Sequence, residues 1–519
     1  MSSSEPQSPL SEPSSDPYFG PPLLLNLPPE LIDNILSHLS PYDLSAISAT
    51  CRDLHKHALS DVLWYPLVQE NVPGVTLTSP QPCNSYHELY VAHDRLWFLP
   101  RQKIWFCDRD LTGRLMIVRY DPRRGCIEGY QLLASRDRQI QQSFIGQGDV
   151  LINEFDPKVK LHLDKPVLQF RVGERAPEVF LSRPGANRFA DEMPVTLDDR
   201  IDALFSNFML TCELDHEEAQ QNLNSRFPYG NIWPPPHIPS DHHVSGSSTQ
   251  VTSEGIFVKT PSSRPQRREE VSERFFRIRQ WMEMAGGLSR IGMAAGLGGI
   301  YNMLRLSRTA VDGGMPNVHV GEELITYSTL DPKLYTPTVL KPWRGIWVGD
   351  YSTHGCEFLL IHQPDDETSV TDEELGLVRR DSETDEEWEA RRTEGRTFQG
   401  RLEAIKLTGD PNVPRGEITF VADDIGPDGV VEGPPVDPCF QGMRAVHSKG
   451  HIANTGFASG KPPCFTESRP RNELALTKTD RYIESQLIFV SHDRLAQHWV
   501  GFGHINYFQR VDIDEFLKV

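Results

Sequence analysis

Apolar positions recur at intervals of three and four from Leu23 onward. Leu31, Ile32, Ile35, Leu36 and Leu39 fall on one helical stripe. Leu27-Pro28-Pro29-Glu30 ahead of them suits a first helical turn, where proline lacks only an N–H that would be unpaired anyway. Ser40-Pro41 closes that helix and opens a second, with Ser40 at the N-cap, Pro41 at N1 and Asp43 three residues after the cap. Leu44, Ile47, Cys51 and Leu54 line the second helix, with Cys51 read as core. Val62-Leu63-Trp64-Tyr65, after Ser60-Asp61, makes a third short element. Three small helices spanning 23–72 make a thin core. Their apolar positions exceed what such a bundle covers, so a partner protein is expected on part of this surface.

From about residue 96 the texture becomes strand-like. Leu96-Trp97-Phe98-Leu99, Ile104-Trp105-Phe106 and Leu115 to Tyr120 read as strands, and Asp121-Pro122-Arg123-Arg124-Gly125 as a turn before Ile127 to Leu133. Val150–Phe155, Val167–Val172 and Val179–Leu181 are further strand candidates. Residues 233–272, with Trp233-Pro234-Pro235-Pro236 and a Ser/Thr-rich run, read as a loop. An amphipathic helix is expected from about Ser272 to Met284, before a glycine-rich stretch at 286–300 that fits no one element. Strands return at Gly345–Tyr351, Glu357–His362, Gly400–Leu407, Glu417–Ala422, His451–Phe457, Ile483–Ser491 and His504–Val511. Many strands and few long helices predict an α+β chain. A three-helix unit at 23–72 precedes a large, mainly antiparallel, β-barrel-like domain at 90–519, with loop insertions at 233–272 and 365–399.

Composition narrows the function classes. The 519 residues hold 52 Lys+Arg against 72 Asp+Glu, a formal charge of −20. That balance argues against nucleic acid or an anionic membrane as partner, because both need a positive surface. The uncharged run between Arg290 and Arg305 is short of the roughly 20 apolar residues a bilayer needs. Residues 1–22 carry seven Ser and six Pro and are expected to be a disordered tail without a secretory pattern. The eight cysteines form no Cys-x-x-Cys pair, which favours reduced thiols and an intracellular protein, cytoplasmic or nuclear. Residues 365–394 hold 13 Asp/Glu against 4 Arg. That is a solvated loop by charge, with Ser382 and Thr384 set among carboxylates as acid-directed kinases prefer.

No enzyme signature emerges. Gly296-Leu297-Gly298-Gly299 lacks the Lys-Ser/Thr of a phosphate loop, and neither His-Glu-x-x-His nor Gly-x-Ser-x-Gly occurs. Thr353-His354 reads better as a turn than as acid–base machinery. His237, His242 and His243 lack metal-ligand spacing and read as solvated loop histidines, so no metal and no cofactor is expected.

The run Leu27-Pro28-Pro29-Glu30-Leu31-Ile32, Leu36, Leu39-Ser40-Pro41-Tyr42-Asp43-Leu44, Cys51-Arg52-Asp53-Leu54 and Leu63-Trp64 resembles an F-box. The resemblance implies binding to Skp1 and, through it, to a cullin–RING ubiquitin ligase. Leu27, Pro28, Leu31, Ile35, Leu36, Leu44, Ile47, Leu54 and Trp64 are then the contact candidates. The remainder resembles the F-box-only protein thirty-one branch of that family. The resemblance is carried by Gly349-Asp350-Tyr351-Ser352-Thr353-His354-Gly355-Cys356-Glu357, Ile405 through Asp410-Pro411-Asn412-Val413-Pro414-Arg415-Gly416, Gly450-His451-Ile452-Ala453 with Gly456-Phe457, and Phe489 through Asp493-Arg494 to Trp499. In that branch the region is a β-barrel-like domain that captures short protein segments, including chain ends. The block 365–399 is an insertion relative to it.

Carried over, the resemblance implies a non-catalytic substrate receptor that promotes ubiquitination and proteasomal degradation. Trp343, Trp347, Tyr351, Trp499 and Tyr507 are candidates for an aromatic pocket. His354, Asp410 and Asn412 are candidates on rim turns. Lys406 and Arg415 are candidates for holding a terminal carboxylate. Asp410-Pro411-Asn412 reads equally well as a plain turn. A Skp1-binding scaffold outside the ligase, and a small-ligand barrel controlled through its F-box, remain the alternatives.

Overall fold

The computed structural model describes residues 23–136, 156–173, 189–195, 204–223, 232–246, 249–252, 255–258, 264–282, 322–351, 355–365, 371–373, 375–410, 412–453 and 481–519. The expected tail, the strand candidates Val150–Phe155 and Val179–Leu181, and the 286–300 stretch lie outside these residues. The chain divides into two units, one of residues 1–71 with Leu77–Asp94 and one of Val72–Thr76 with Arg95–Val519. Among the described residues no helix is long and apolar enough to cross a membrane.

The first unit is a cluster of short helices: α1 (Pro29–Leu36), α2 (Pro41–Ser48), α3 (Arg52–Ala58), α4 (Asp61–Glu70) and α5 (Tyr86–Ala92). Pro29 sits at the start of α1, and the Ser40 hydroxyl accepts from Asp43 N at 3.2 Å, capping α2 as its sequence demands. The expected second helix is in fact two. Cys51 does not fill a helix face. It takes extended backbone at the N-cap of α3, and its Sγ accepts from Leu54 N at 3.5 Å. The Trp64 indole is buried and donates to the Ala58 carbonyl at 2.6 Å, with His87 and Tyr90 against its ring. Ile32, Leu36, Leu44, Leu63 and Val68 complete this core.

The second unit opens with α6 (Phe98–Gln102), where a strand was expected from Leu96 to Leu99. Trp97, Phe98 and Leu99 are all buried, and a short unbroken apolar run has no period to tell helix from strand. The strands that follow are β1 (Ile104–Cys107), β2 (Leu115–Asp121), β3 (Cys126–Ser135), β4 (Lys158–Arg171), β5 (Met193–Pro194) and β6 (Leu204–Leu210). A short α7 (His216–Asn222) precedes four small strands, β7 (Ile232–Trp233), β8 (Val244–Ser245), β9 (Thr249–Thr252) and β10 (Gly255–Val258), within what reads as loop from sequence. Then come β11 (Phe275–Met282), β12 (Glu322–Ser328) and α8 (Pro332–Tyr335). Eight of these strands form a sheet in the order β4-β3-β2-β1-β12-β11-β6-β5. The predicted helix over 272–284 is therefore corrected to β11. It lies between β6 and β12, and Phe275, Phe276, Arg277 and Ile278 are all buried. A strand covered on both faces loses its polar alternation.

The last third closes into a barrel of β13 (Gly345–Asp350), β14 (Cys356–His362), β15 (Leu402–Lys406), β16 (Ile418–Ala422), β17 (Arg444–Ile452), β18 (Arg481–Phe489), β19 (Arg494–Trp499) and β20 (His504–Arg510). β17 begins upstream of the expected 451–457 strand, and 454–457 lie outside the described residues. Each strand pairs antiparallel with its sequence neighbour, and β13 pairs with β20 through Trp347↔Arg510, Val348↔Gln509 and Gly349↔Phe508. One face of the barrel strands (Ile346, Val348, Phe358, Leu360, Ile405) packs with Ile104, Phe106, Leu115 and Ile117 of the sheet. The other face, with Trp347, Leu359, Ile361, Leu402, Phe420 and Leu487, forms a separate buried cluster that fills the lumen. The acidic insertion is not all loop. Its second half folds as α9 (Asp385–Thr397), where Thr384 and Glu387 form a capping box. Phe398, just after α9, packs on Trp343 and Phe489 at one end of the barrel.

Glycine is required where the lumen is tightest. A Cβ on Gly450 would stand 2.4 Å from the Trp499 ring, and one on Gly349 would stand 2.7 Å from Phe508. Gly450→Val is expected to destabilise the protein by roughly 1–3 kcal/mol through overpacking. A lowered urea midpoint at unchanged m-value checks it.

Candidate functional site at the polar end of the barrel

Strand direction alternates around the barrel, so its connections sort to two ends. One end carries the strand ends Gly345, His362, Leu402, Ala422, Arg444, Phe489, Arg494 and Arg510; the other carries Asp350, Cys356, Lys406, Ile418, Ile452, Arg481, Trp499 and His504. The lumen is apolar at the first end. At the second, the same inward register brings up polar groups: Glu357 before Leu359, Lys406 beyond Ala404, Ser485 before Leu487, Gln497 and Trp499 beyond Leu495, and Asn506 before Phe508.

Lys406 is the centre of this end. Its side chain is 1% exposed, and its Nζ lies 2.7 Å from Glu357 Oε2 and 2.6 Å from Asp410 Oδ2. The ammonium also stands 4.5 Å from the centre of the Tyr351 ring. Asp410 is a turn residue as well, since its Oδ1 accepts from Asn412 N at 2.6 Å and Val413 N at 2.9 Å. The Lys406 charge and these amides hold the Asp410 carboxyl below its ordinary range against the cost of burial. Glu357 moves the other way. Burial pushes its carboxyl up to about 8, although Lys406 opposes the shift. The Tyr351 hydroxyl meets Thr419 Oγ1 at 3.0 Å, and burial holds its phenol well above the ordinary value.

A neutral network completes the ring. Gln497 Nε2 donates to Ser485 Oγ at 3.1 Å, and Ser485 and Ser448 share a hydrogen bond of 2.8 Å. Trp499 Nε1 donates to Asn506 Oδ1 at 2.6 Å, and Asn506 donates onward to the Asp350 carbonyl. Glu357 Oε1 and Gln497 Oε1 are buried without a hydrogen-bond donor among the described residues. Outside, on the 500–503 turn, Val500 and Phe502 are exposed, and the Phe502 ring lies 6.4 Å from that of Trp499.

The predicted site residues thus separate into groups. Tyr351, Lys406, Asp410, Asn412 and Trp499 come together at the polar end. Trp343 and Trp347 do not: both are fully buried at the apolar end, where Trp343 Nε1 donates to the Ser491 carbonyl and Trp347 Nε1 to the Trp343 carbonyl. Tyr507 lies in another cluster, beside Phe440, Ile488, Ala496 and Ile505. His354 lies outside the described residues. The cations offered for a terminal carboxylate are already engaged. Lys406 has two carboxylates, and Arg415 donates to the Asp108 carbonyl at 2.5 Å with its guanidinium 4.7 Å from the Trp233 ring centre. The 409–416 segment is a strap, with Gly409 N and Arg415 N each donating at 2.8 Å to the carbonyls of Thr112 and Leu111.

The loop histidines are not all solvated. His243 is buried, His242 Nδ1 lies 2.6 Å from Glu213, and His237 lies beside Glu417. No group of metal-ligating side chains among the described residues is placed to hold an ion. Sequence reading passed over Glu357 as a site residue, and also Gln497, Asn506 and Phe502. Glu357 had a signal, a lone carboxylate opening the apolar run Phe358-Leu359-Leu360-Ile361.

In the first unit, Leu31 and Ile35 are 49% and 44% exposed, and Leu27, Pro28, Tyr42 and Val62 are also exposed. Ile47 and Leu54 are half-buried. Leu36, Leu44 and Trp64, offered as contact residues, instead form the unit's own core. They follow the same helical period as the exposed set, and only packing distinguishes the two faces.

Comparison with known proteins places both regions. The F-box-like family model matches residues 24–70, so the chain carries an F-box-like domain there. The model of the cyclin D1 binding domain matches residues 327–515, which spans the barrel. Protein EXECUTER 2, chloroplastic, from Arabidopsis thaliana is 29% identical over 150 residues, or 29% of this chain and 20% of that protein. The chain thus matches about a fifth of that relative's length.

Two buried groups set opposite pH slopes. His451 Nδ1 donates to the Ile418 carbonyl at 3.0 Å, and burial brings its imidazole down to about 4. The unfolded chain therefore binds more protons between about 6.5 and 4, and stability falls as pH drops through that window. With Glu357 raised, the folded chain binds more protons between about 4.5 and 8, and stability falls as pH rises through it. Glu357→Gln is expected to flatten the alkaline decline, gaining roughly 1–3 kcal/mol over wild type near pH 8, and to leave the acid decline in place. Urea midpoints across pH 5–9 check both arms.

Proposed function

We propose that this protein is the non-catalytic substrate receptor of a Skp1–cullin–F-box ubiquitin ligase, and that the polar end of its barrel binds the target. The observation that carries the reading is the apolar set of Leu27, Leu31 and Ile35, left uncovered on an F-box-like domain whose core is filled by Ile32, Leu36, Leu44, Leu63 and Trp64. A stripe of this kind calls for a partner surface, and buried leucine and isoleucine anchors dominate such interfaces. Skp1 is that partner, with Tyr42 and Val62 adding to the contact. The receptor does no bond chemistry and contributes proximity, holding the target for a ubiquitin-loaded conjugating enzyme.

The barrel supports target binding by its chemistry. Its polar end offers acceptors, Glu357 and Gln497, beside an exposed aromatic tip at Phe502. Among the described residues it offers no free cation, which disfavours a bare terminal carboxylate and favours a segment that brings hydrogen-bond donors and an apolar side chain. The cyclin D1 binding model over 327–515 makes cyclin D1 the first target to test. The likeness to the F-box-only protein thirty-one branch fits the same reading.

Co-purification of the full chain with Skp1 tests the first half. Leu31→Asp and Ile35→Asp, both at exposed positions, are expected to cut binding more than tenfold with an unchanged circular dichroism spectrum. Undiminished binding by both variants would remove the F-box reading. Cullin recruitment in the same complex separates a ligase subunit from a scaffold. For the barrel, the full chain is offered a library of internal and terminal peptides. Val500→Ser with Phe502→Ser is expected to lower capture while leaving Skp1 bound.

A further inference from the structure

The two hydroxyls of the acidic insertion differ in their freedom. Thr384 is committed: its Oγ1 accepts from Glu387 N at 3.2 Å, and its own N–H donates to Glu387 Oε2 at 3.0 Å, closing the box that starts α9. Ser382 is exposed, and its hydroxyl makes no hydrogen bond among the described residues. It sits at the centre of a turn closed by Glu383 N donating to the Arg380 carbonyl at 3.1 Å. Arg380 N closes the turn a second time by donating to Glu383 Oε2 at 3.2 Å, so the extended backbone that a modifying enzyme needs comes as these two bonds open.

The charges around Ser382 differ in availability. Glu383, directly after it, is 9% exposed and gripped at 2.8 Å through both oxygens by Arg391. Asp385, three residues after it, pairs with Arg379 at 2.5 Å. Glu383 is therefore engaged, while Asp385 is held only by an exposed pair. On the other side, the Arg380 guanidinium makes no hydrogen bond or ion pair among the described residues. Arg379 holds an exposed pair with Asp385, worth at most about 1 kcal/mol, and donates to the Glu383 carbonyl at 3.1 Å. Two arginines thus stand three and two residues before a free serine.

We propose that Ser382 is the phosphoacceptor of this insertion, modified by an arginine-directed protein kinase using magnesium ATP, and that Thr384 is not modified. The Ser382 oxygen attacks the γ-phosphorus, the bond from that phosphorus to the ADP oxygen breaks, and the hydroxyl proton passes to the kinase's base. The insertion joins β14 to β15 at the barrel's apolar end, so the phosphate does not gate the polar end.

The test incubates the folded full chain with a purified kinase selective for arginine at the third and second positions before serine. A parallel reaction uses a kinase selective for carboxylates after the acceptor, and sites are mapped by mass spectrometry. The proposal expects stoichiometric phosphate on Ser382 from the first kinase. It also expects no incorporation into Ser382→Ala, at least a tenfold slower rate for Arg380→Gln, and an unchanged rate for Thr384→Ala. Peptide capture by the phosphorylated chain should equal that of the unmodified chain. Phosphate on Thr384, labelling by the acid-directed kinase alone, or no labelling by either would overturn it.

Discussion

Closure of β13 on β20 is the constraint on which the rest of the barrel depends. Three residue pairs make the seam, Trp347↔Arg510, Val348↔Gln509 and Gly349↔Phe508. Once the seam is made no strand edge remains, and every inward side chain has to fit one shared lumen. An eight-stranded barrel leaves room for side chains and little else. Gly349 stands in the seam because Phe508 already occupies the space its side chain would need. Gly450 plays the same part beneath Trp499. The lumen is thus packed by position, with large rings opposite missing ones.

That packing explains why a buried ion cluster is tolerated at one end only. Three ionisable groups in a small volume cost several kcal/mol each to desolvate when charged, and mutual pairing returns the cost only if each is well placed. Lys406 meets that condition by facing two carboxylates, and Asp410 by accepting two amides of its own turn. Glu357 meets it least. One of its oxygens has no donor, so it is the member whose proton responds to the surroundings. A ligand that supplied a donor there would find an acceptor with its desolvation already complete.

The barrel strands were legible from their aromatic and β-branched residues between turn residues, and so was the turn chemistry of Asp410 and the capping of α2 by Ser40. Less was legible where burial on both faces erases the period. β11 reads as a helix because Phe275, Phe276 and Ile278 are all apolar in a row with arginines between and after them, and nothing local reveals the neighbouring β6 and β12. The site was half legible. Lys406 and Asp410 stood out as charges in a strand and a turn, but their pairing with Glu357 depends on the β14–β15 register, in which Leu359 lies opposite Lys406. Register is a long-range property. Trp343 and Trp499 look alike in sequence, and only the strand directions send them to opposite ends.

The F-box-like unit poses the same question at smaller scale. Leu31, Ile32, Ile35 and Leu36 lie on one short helix, and periodicity assigns all four to a single apolar side. A helix of eight residues has too little length for its stripe to be covered by one neighbour. Ile32 and Leu36, four apart, turn inward, while Leu31 and Ile35, also four apart, stay outside. Substituting the inner pair removes core, at several kcal/mol for each truncated leucine or isoleucine, and any loss of binding then reports unfolding. Substituting the outer pair leaves the core alone. Which leucine is changed therefore decides whether an experiment on this domain measures recognition or stability.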